Sequence, residues 1–148
     1  MTPVGAREGA VEAHADYNPT VLEHYRNPRN VGDVAGSAAT AQVGDPAHGD
    51  VLRLSLRIEA GTVVEARFRA FGCTAAIAAG SMTTVLLIGR TVDAAGRLSN
   101  QDVAAALGGL PESKMHCSVL AEQAVREALE RHRAAAPAED GCRSSANR

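Results

Sequence analysis

The apolar residues recur with a period of two between residues 51 and 71. Two runs, VLRLSLRI and VVEARFRA, alternate apolar and polar side chains around the turn-forming EAGT. Such alternation predicts an antiparallel hairpin with one face on the core and the other in water. The run AATAQVG predicts a third strand. The pattern puts Arg53, Ser55 and Arg57 on the wet face of the first strand and Val64, Ala66, Phe68 and Ala70 on the buried face of the second.

The pattern becomes helical after this hairpin. The small and apolar run FGCTAAIAAGSMTTVLLIG ends at Gly89 and predicts a buried, closely packed helix. Ser99 and Asp102 have the spacing of a capping box before VAAAL, and a last helix is predicted from about Cys117 to Ala134. A short first helix is predicted after the cap Asn18. Helices that follow a meander of strands indicate the α+β class.

Composition then limits the classes of function. The 148 residues are 45% hydrophobic and 22% charged with a formal net charge of −2, which gives no indication of a nucleic-acid partner. No apolar run approaches the roughly 20 residues of a membrane span, and the N-terminus lacks the apolar region of a secretory signal. We therefore expect a cytoplasmic protein with one ordered domain over residues 17–134. Residues 1–16 are predicted to be flexible, and residues 135–148 are predicted to form a disordered tail.

The cysteines are the first candidates for chemistry. Their odd number, three, favours metal or thiol chemistry over a disulfide framework. Cys73 and Cys117 each stand where a helix is predicted to begin, and the free N–H groups of a helix start favour a thiolate. An isolated cysteine is more often a small buried apolar residue, but two at helix starts favour a chemical role. Cys142 lies in the tail and is predicted to be an exposed thiol without an assigned role.

Two histidines and an aspartate are further candidates for a site. His48 and Asp50 occur in the turn GDPAHGD, where they can line a site or simply form the polar tips of a turn. His116 precedes Cys117 and can be a metal ligand, a base for the thiol or a solvated residue. Surface positions without a ligand role are predicted for the remaining histidines and Lys114, namely His14, His24, His132 and Lys114.

Four segments together resemble the iron–sulfur cluster assembly scaffold family, of the IscU type that also forms the N-terminal part of NifU. They cover roughly residues 17 to 133, and their order along the chain is specific. The matching segments are VLEHYRNPRNVG, GDPAHGDVLRLSLRI, EARFRAFGCTAAIAAGS and KMHCSVLAEQAV.

The resemblance implies a three-stranded antiparallel sheet packed against a layer of helices, with a site at one end. It implies a scaffold rather than an enzyme. Such a protein accepts persulfide sulfur from a cysteine desulfurase, binds iron, and builds a 2Fe-2S cluster for cluster-acceptor proteins. The family's cluster-binding positions fall on Asp50, Cys73 and Cys117, and its ligand-like histidine falls on His116. Cys117 corresponds to the main persulfide acceptor, and Cys73 is a secondary one.

The chain departs from the family at the first cysteine position, which is occupied by His48. Imidazole ligates iron or zinc, so His48 is predicted to remain a metal and cluster ligand, but it cannot carry a persulfide. A neutral imidazole in place of a thiolate should raise the reduction potential of a bound cluster and weaken its binding toward acid pH.

A second departure concerns delivery of the cluster. Members that use a dedicated Hsp70-type chaperone carry LPPVK before the histidine, whereas this chain has LPESK, from Leu110 to Lys114. The segment places chaperone-assisted delivery in doubt.

Two other functions compete with the scaffold. One is a zinc-binding sulfur acceptor that serves a cysteine desulfurase and builds no cluster, because one nitrogen, two sulfurs and a carboxylate also suit tetrahedral zinc. The zinc-using branch of the family carries a long insert between its second and third cysteines, and none is apparent between Cys73 and Cys117. The other is a structural or regulatory relative that binds a desulfurase without accepting sulfur. Zinc can also occupy the same ligands in an isolated scaffold.

Overall fold

The computed structural model describes residues 17–45 and 49–135. Within them a three-stranded antiparallel sheet packs against helices, so the predicted α+β class and the third strand are confirmed. No helix in this part of the chain is long and apolar enough to cross a membrane. In chain order the elements are α1 (Pro19–Arg26), β1 (Ala39–Asp45), β2 (Asp50–Glu59), β3 (Thr62–Phe71), α2 (Thr74–Leu87), α3 (Val92–Gly96), α4 (Asn100–Ala106), a 3₁₀ turn (Glu112–Lys114) and α5 (Met115–Ala135).

The sheet has the order β1-β2-β3, and one face carries the core. Leu52, Leu54 and Leu56 alternate along β2 as predicted, and each is nearly inaccessible to solvent. They pack with residues of α2 and α5 in a core that is built largely from alanine, valine and leucine. Burial of these aliphatic side chains supplies the main driving force that holds the helices on the sheet.

The buried position predicted for Val64 is wrong. Val64 is exposed, and Val63 beside it is fully buried. The pairing of β2 with β3 shifts at this point, because Arg57 pairs with Glu65 whereas Ile58 pairs with Val63. Val64 is therefore the extra residue of a β-bulge, and a bulge reverses the in-and-out alternation on one side of it.

The exposed position predicted for Ser55 is also wrong, because acidic and basic side chains cover it. Asp33 reaches over this face of the sheet, where its carboxylate accepts a hydrogen bond from Arg69 Nε at 2.8 Å and lies 3.3 Å from Arg53 Nε. The bond from Arg69 is the largest cause that lowers the pKa of Asp33, and a hydrogen bond from Ser55 also contributes. Ser55 is buried beneath this group of charges.

A short segment, Asn30–Gly32, covers the outer edge of β3. Phe68 N–H donates to the Asn30 carbonyl at 2.9 Å, and Gly32 N–H donates to the Phe68 carbonyl at 2.8 Å. The Asn30 side chain also donates to Thr84 Oγ1 on α2 at 3.0 Å. Asn30 has a φ of +59°, a conformation that asparagine tolerates better than most residues. The segment pairs with the sheet edge while it is fastened to a helix.

Helix α2 runs unusually close to the sheet. A Cβ atom at Gly80 would lie 2.5 Å from Cδ2 of the Phe68 ring and 3.1 Å from Leu52 Cδ1, so only glycine fits there. The small residues around it let the helix backbone approach the aromatic ring, which explains the run of alanine, serine and threonine. The same helix begins at Thr74, directly after its N-cap residue Cys73.

The surface position predicted for His24 is wrong. This side chain is buried where α1 packs against α2, and its Nδ1 lies 2.7 Å from Ser81 Oγ. The same oxygen accepts the Arg29 backbone N–H at 2.9 Å. His132 is partly exposed near the C-terminal end of α5, and His14 lies outside the described residues. Ser81 therefore joins α1 and the loop that follows it to the central helix.

The buried histidine predicts a pH dependence of stability. Burial lowers the pKa of His24 from 6.5, and the nearby Arg29 lowers it further. The unfolded chain then binds more protons, so the free energy of unfolding should fall as the pH drops from about 6.5 toward the lowered value. One proton limits this slope to about 1.4 kcal/mol per pH unit. Urea unfolding between pH 7.5 and 5.5 should show this loss in the wild type and a flatter profile in His24→Asn. Equal slopes would contradict the assignment to His24.

Candidate metal-binding and sulfur-binding site

Three separate parts of the chain meet at one end of the sheet. Asp50 begins β2, and Cys73 follows β3 at the start of α2. The antiparallel register pairs Val51 with Phe71, which brings the start of one strand beside the end of the other. The first turn of α5 packs against them and contributes His116 and Cys117. The residues predicted from three distant segments therefore share one site.

The distances between the side chains are short. Cys73 Sγ lies 3.6 Å from Cys117 Sγ, and His116 Nε2 lies 3.5 Å from Cys117 Sγ and 3.0 Å from Asp50 Oδ2. The donor atoms of Asp50, His116 and Cys117 all lie within 4.8 Å of one another. Nitrogen, sulfur and carboxylate ligands at this spacing suit iron or zinc.

Gly72 makes room for the aspartate. A Cβ atom at this position would overlap Asp50 Oδ1 and would lie 3.1 Å from the Gly49 carbonyl oxygen. The φ of Gly72 is +156°, which also favours glycine. The glycine between Phe71 and Cys73 therefore lets Asp50 approach the start of α2 and reach His116.

The two thiols differ in charge state and in exposure. A hydrogen bond from Cys117 is the largest cause that lowers the pKa of Cys73, and the Ala76 backbone N–H at the helix start and the charge of Lys114 lower it further. The same contact with Cys73 raises the pKa of Cys117, and burial and Asp50 add to the rise. Of the two thiols, Cys73 is therefore the one that deprotonates more easily.

The lowered pKa that a helix start predicts is found for Cys73, whereas the pKa of Cys117 is raised. Cys73 is partly exposed, whereas only 1% of Cys117 is accessible. The Cys117 side chain lies behind Cys73 and near negative charge, which outweighs the effect of the helix N-terminus in the ligand-free site.

Lys114 is a residue near the site to which the sequence assigns no role there. The sequence predicts a solvated loop residue unless it serves a partner; Lys114 ends the 3₁₀ turn before α5, and its positive charge acts on both thiols. A lysine beside two sulfur ligands favours negative charge in the site. The sequence does carry a signal for this closeness: Lys114 stands three residues before Cys117, in a turn that leads into a predicted helix.

Several predicted residues fall outside the described part of the chain. His48 is one of them, so its part in the site stays a prediction, although Gly49 and Asp50 place its neighbours beside Cys73. Cys142 and the predicted tail beyond residue 135 also lie outside it, as do residues 1–16.

Comparisons with known proteins agree with this picture. The sequence model of the NifU-like N terminal domain family matches residues 16–138. The iron-sulfur cluster assembly enzyme IscU of Drosophila melanogaster is 46% identical over 117 residues, which cover 76% of this chain and 75% of the relative. Scaffold protein IscU 1 of Archaeoglobus fulgidus is 41% identical over 113 residues, or 76% and 74% of the two chains. The crystal structure of a hypothetical protein shares the fold, with a TM-score of 0.62 and 24% identity over 75% of this chain and 94% of that one.

Proposed function

Because the chain belongs to the NifU-like N-terminal domain family, we propose that it is a scaffold on which a 2Fe-2S cluster is assembled and from which it is passed to acceptor proteins. Sulfur comes as a persulfide from a cysteine desulfurase, and iron and sulfur are cargo rather than permanent parts of the protein. The observation that carries the proposal is the convergence of two thiols, an imidazole and a carboxylate at one end of the sheet.

Sulfur is accepted on Cys117. Its thiolate attacks the outer sulfur of the desulfurase persulfide, a new S–S bond forms, and the desulfurase cysteine leaves as a thiolate. His116 Nε2, 3.5 Å from Cys117 Sγ, is the base within reach of the thiol proton. Since Cys117 is buried in the free protein, docking of the desulfurase must open the first turn of α5. Cys73 is the secondary acceptor.

Iron is held by a mixed set of ligands. The candidates are His48, Asp50, Cys73, His116 and Cys117. The short distances from His116 Nε2 to Asp50 Oδ2 and Cys117 Sγ support this set, because the three donor atoms converge closely enough to share one metal ion. A carboxylate ligand is exchanged more readily than a thiolate at a soft metal site, and Asp50 therefore keeps the cluster transferable.

An exposed aromatic side chain beside the site supports docking of a partner there. Phe71 is 67% accessible, although it stands only two residues before Cys73. Exposed aromatic residues are frequent anchors of protein interfaces. We assign this surface to the cysteine desulfurase, whose persulfide must come within bonding distance of the thiols. Delivery by an Hsp70-type chaperone stays in doubt because of LPESK, and the cytoplasmic location stays a prediction.

Anaerobic reconstitution with ferrous iron and sulfide tests the scaffold against the zinc-binding sulfur acceptor. We expect sulfide-to-iron charge-transfer bands, with iron and acid-labile sulfide in equal amounts, in the wild type and in His48→Cys. The His48→Cys cluster should have the lower reduction potential, because a thiolate replaces a neutral ligand. Cys142→Ser is the control and should behave as the wild type.

The zinc-binding sulfur acceptor predicts a different outcome of the same experiment. A colourless protein that keeps stoichiometric zinc and forms no cluster under these conditions would contradict the scaffold and establish the zinc-binding acceptor. Zinc found after aerobic purification alone does not decide between them, because the same ligands take up zinc readily.

A further inference from the structure

The contact between the Cys73 and Cys117 thiols also bears on what happens to sulfur after it is accepted. We propose that Cys73 is a resolving thiol, which attacks a persulfide on Cys117 and releases its outer sulfur as hydrosulfide. The inference rests on the proposed function, since it concerns sulfur that Cys117 has accepted. It gives the chain an activity of its own, the conversion of sulfane sulfur into the sulfide that a cluster contains.

The geometry supports a direct reaction. The two Sγ atoms are 3.6 Å apart, which is van der Waals contact and leaves no space for another atom between them. A disulfide bond is about 2.05 Å long, so the sulfurs need to approach by about 1.5 Å. Cys73 is the N-cap residue of α2, and Cys117 lies in the first turn of α5, so the two helix starts hold the thiols side by side.

This chain lacks one family thiol that could compete with Cys73 for the persulfide sulfur. The family position of the first cysteine is His48 in this chain, and imidazole can neither take over the sulfane sulfur nor form a disulfide. Cys73 and Cys117 are the cysteines within the described residues, and each is the other's sulfur neighbour. A persulfide on Cys117 therefore meets one thiol of the site, that of Cys73.

The step balances without another reactant. The Cys73 thiolate attacks Cys117 Sγ, and the bond between Cys73 Sγ and Cys117 Sγ forms as the bond from Cys117 Sγ to the outer sulfur breaks. The electron pair leaves with the outer sulfur, which departs with its proton as HS⁻. The outer sulfur is reduced to sulfide, and the two cysteines are oxidised to a disulfide. A dithiol reductant must then reopen the disulfide before the next cycle.

A small-molecule donor tests the step without a desulfurase. All proteins carry Cys142→Ser, so that the thiols in play are those of the site, and all are reduced, metal-free and kept without oxygen. The donor is glutathione persulfide with ³⁴S in its outer position. Intact mass under non-reducing conditions, peptide mapping and trapping of labelled hydrosulfide by a bimane reagent give three readouts.

We expect the two-thiol protein to release labelled hydrosulfide and to become about 2 Da lighter, with Cys73 joined to Cys117. With Cys73→Ser added, the chain should instead gain the labelled sulfur on Cys117 and release at least about tenfold less hydrosulfide. A stable persulfide in the two-thiol protein, equal release from both proteins, or no sulfur uptake by either would each overturn the inference. Normal cluster reconstitution beside a stable persulfide would overturn this step alone and leave the scaffold function standing.

Discussion

Replacing Cys117 with serine should lower sulfur uptake from a cysteine desulfurase by about 10- to 100-fold. A serine hydroxyl does not attack a sulfane sulfur under conditions in which a thiolate does, and the remaining uptake should be found on Cys73. The measurement is transfer of ³⁵S from labelled cysteine, counted as the sum of the label bound to the chain after separation under non-reducing conditions and the labelled hydrosulfide that the chain releases. His48→Ala should keep wild-type uptake, because imidazole holds no persulfide.

This pair of variants separates sulfur transfer from metal binding. His48→Ala should weaken iron binding without changing sulfur uptake, whereas Cys117→Ser should damage both. Cys142→Ser is the matched control for loss of a thiol outside the site and should behave as the wild type. Full uptake by Cys117→Ser together with loss in His48→Ala would reverse the assignment of the acceptor.

Replacing Gly72 with alanine should weaken the affinity for ferrous iron or zinc by about 10- to 100-fold, the range found for residues that orient metal ligands. The added Cβ would overlap Asp50 Oδ1, and the Gly49 carbonyl on the other side, 3.1 Å from the Cβ, leaves it little room to move. Asp50 must then turn away from His116 and lose the 3.0 Å contact. Anaerobic titration with a competing chromophoric chelator measures the affinity.

The control for this change is Gly61→Ala in the turn between β2 and β3. Gly61 also has a positive φ, +77°, but a Cβ atom there meets nothing within 4 Å. Both substitutions strain the backbone, and only one crowds the site. Equal affinities in the two variants would show that strain alone accounts for the loss and that Gly72 has no part in placing Asp50.

The regular parts of the fold were predictable because their causes are local. The burial of Leu52, Leu54 and Leu56 on β2 and the capping box of Ser99 and Asp102 are properties of neighbouring residues, and the structure shows both as predicted. The bulge at Val64 was not predictable, because the register shift depends on how two strands pair. The burial of His24 depends on Ser81, which is 57 residues away along the chain and next to it in space.

The residues that form the site were predictable from the sequence, but the difference between its two thiols was not. The resemblance brought Asp50, Cys73, His116 and Cys117 together, and the structure places them in one cluster. The effect of a helix N-terminus on a thiolate predicts a lowered pKa for both thiols. Their direct contact instead lowers the pKa of Cys73 and raises that of Cys117, and this difference depends on two segments that are distant along the chain.

The segment Asn30–Gly32, which pairs with the outer edge of β3, limits how copies of this chain can associate. A sheet with two open edges can add strands on both sides, and such growth continues into fibres. Here one edge is occupied by the chain itself, which leaves β1 as the edge that no described strand covers. The bridges at Phe68 and Thr62 oppose the addition of a further strand along the outer edge of β3, so strand pairing between copies is expected to use the β1 edge and to favour two chains.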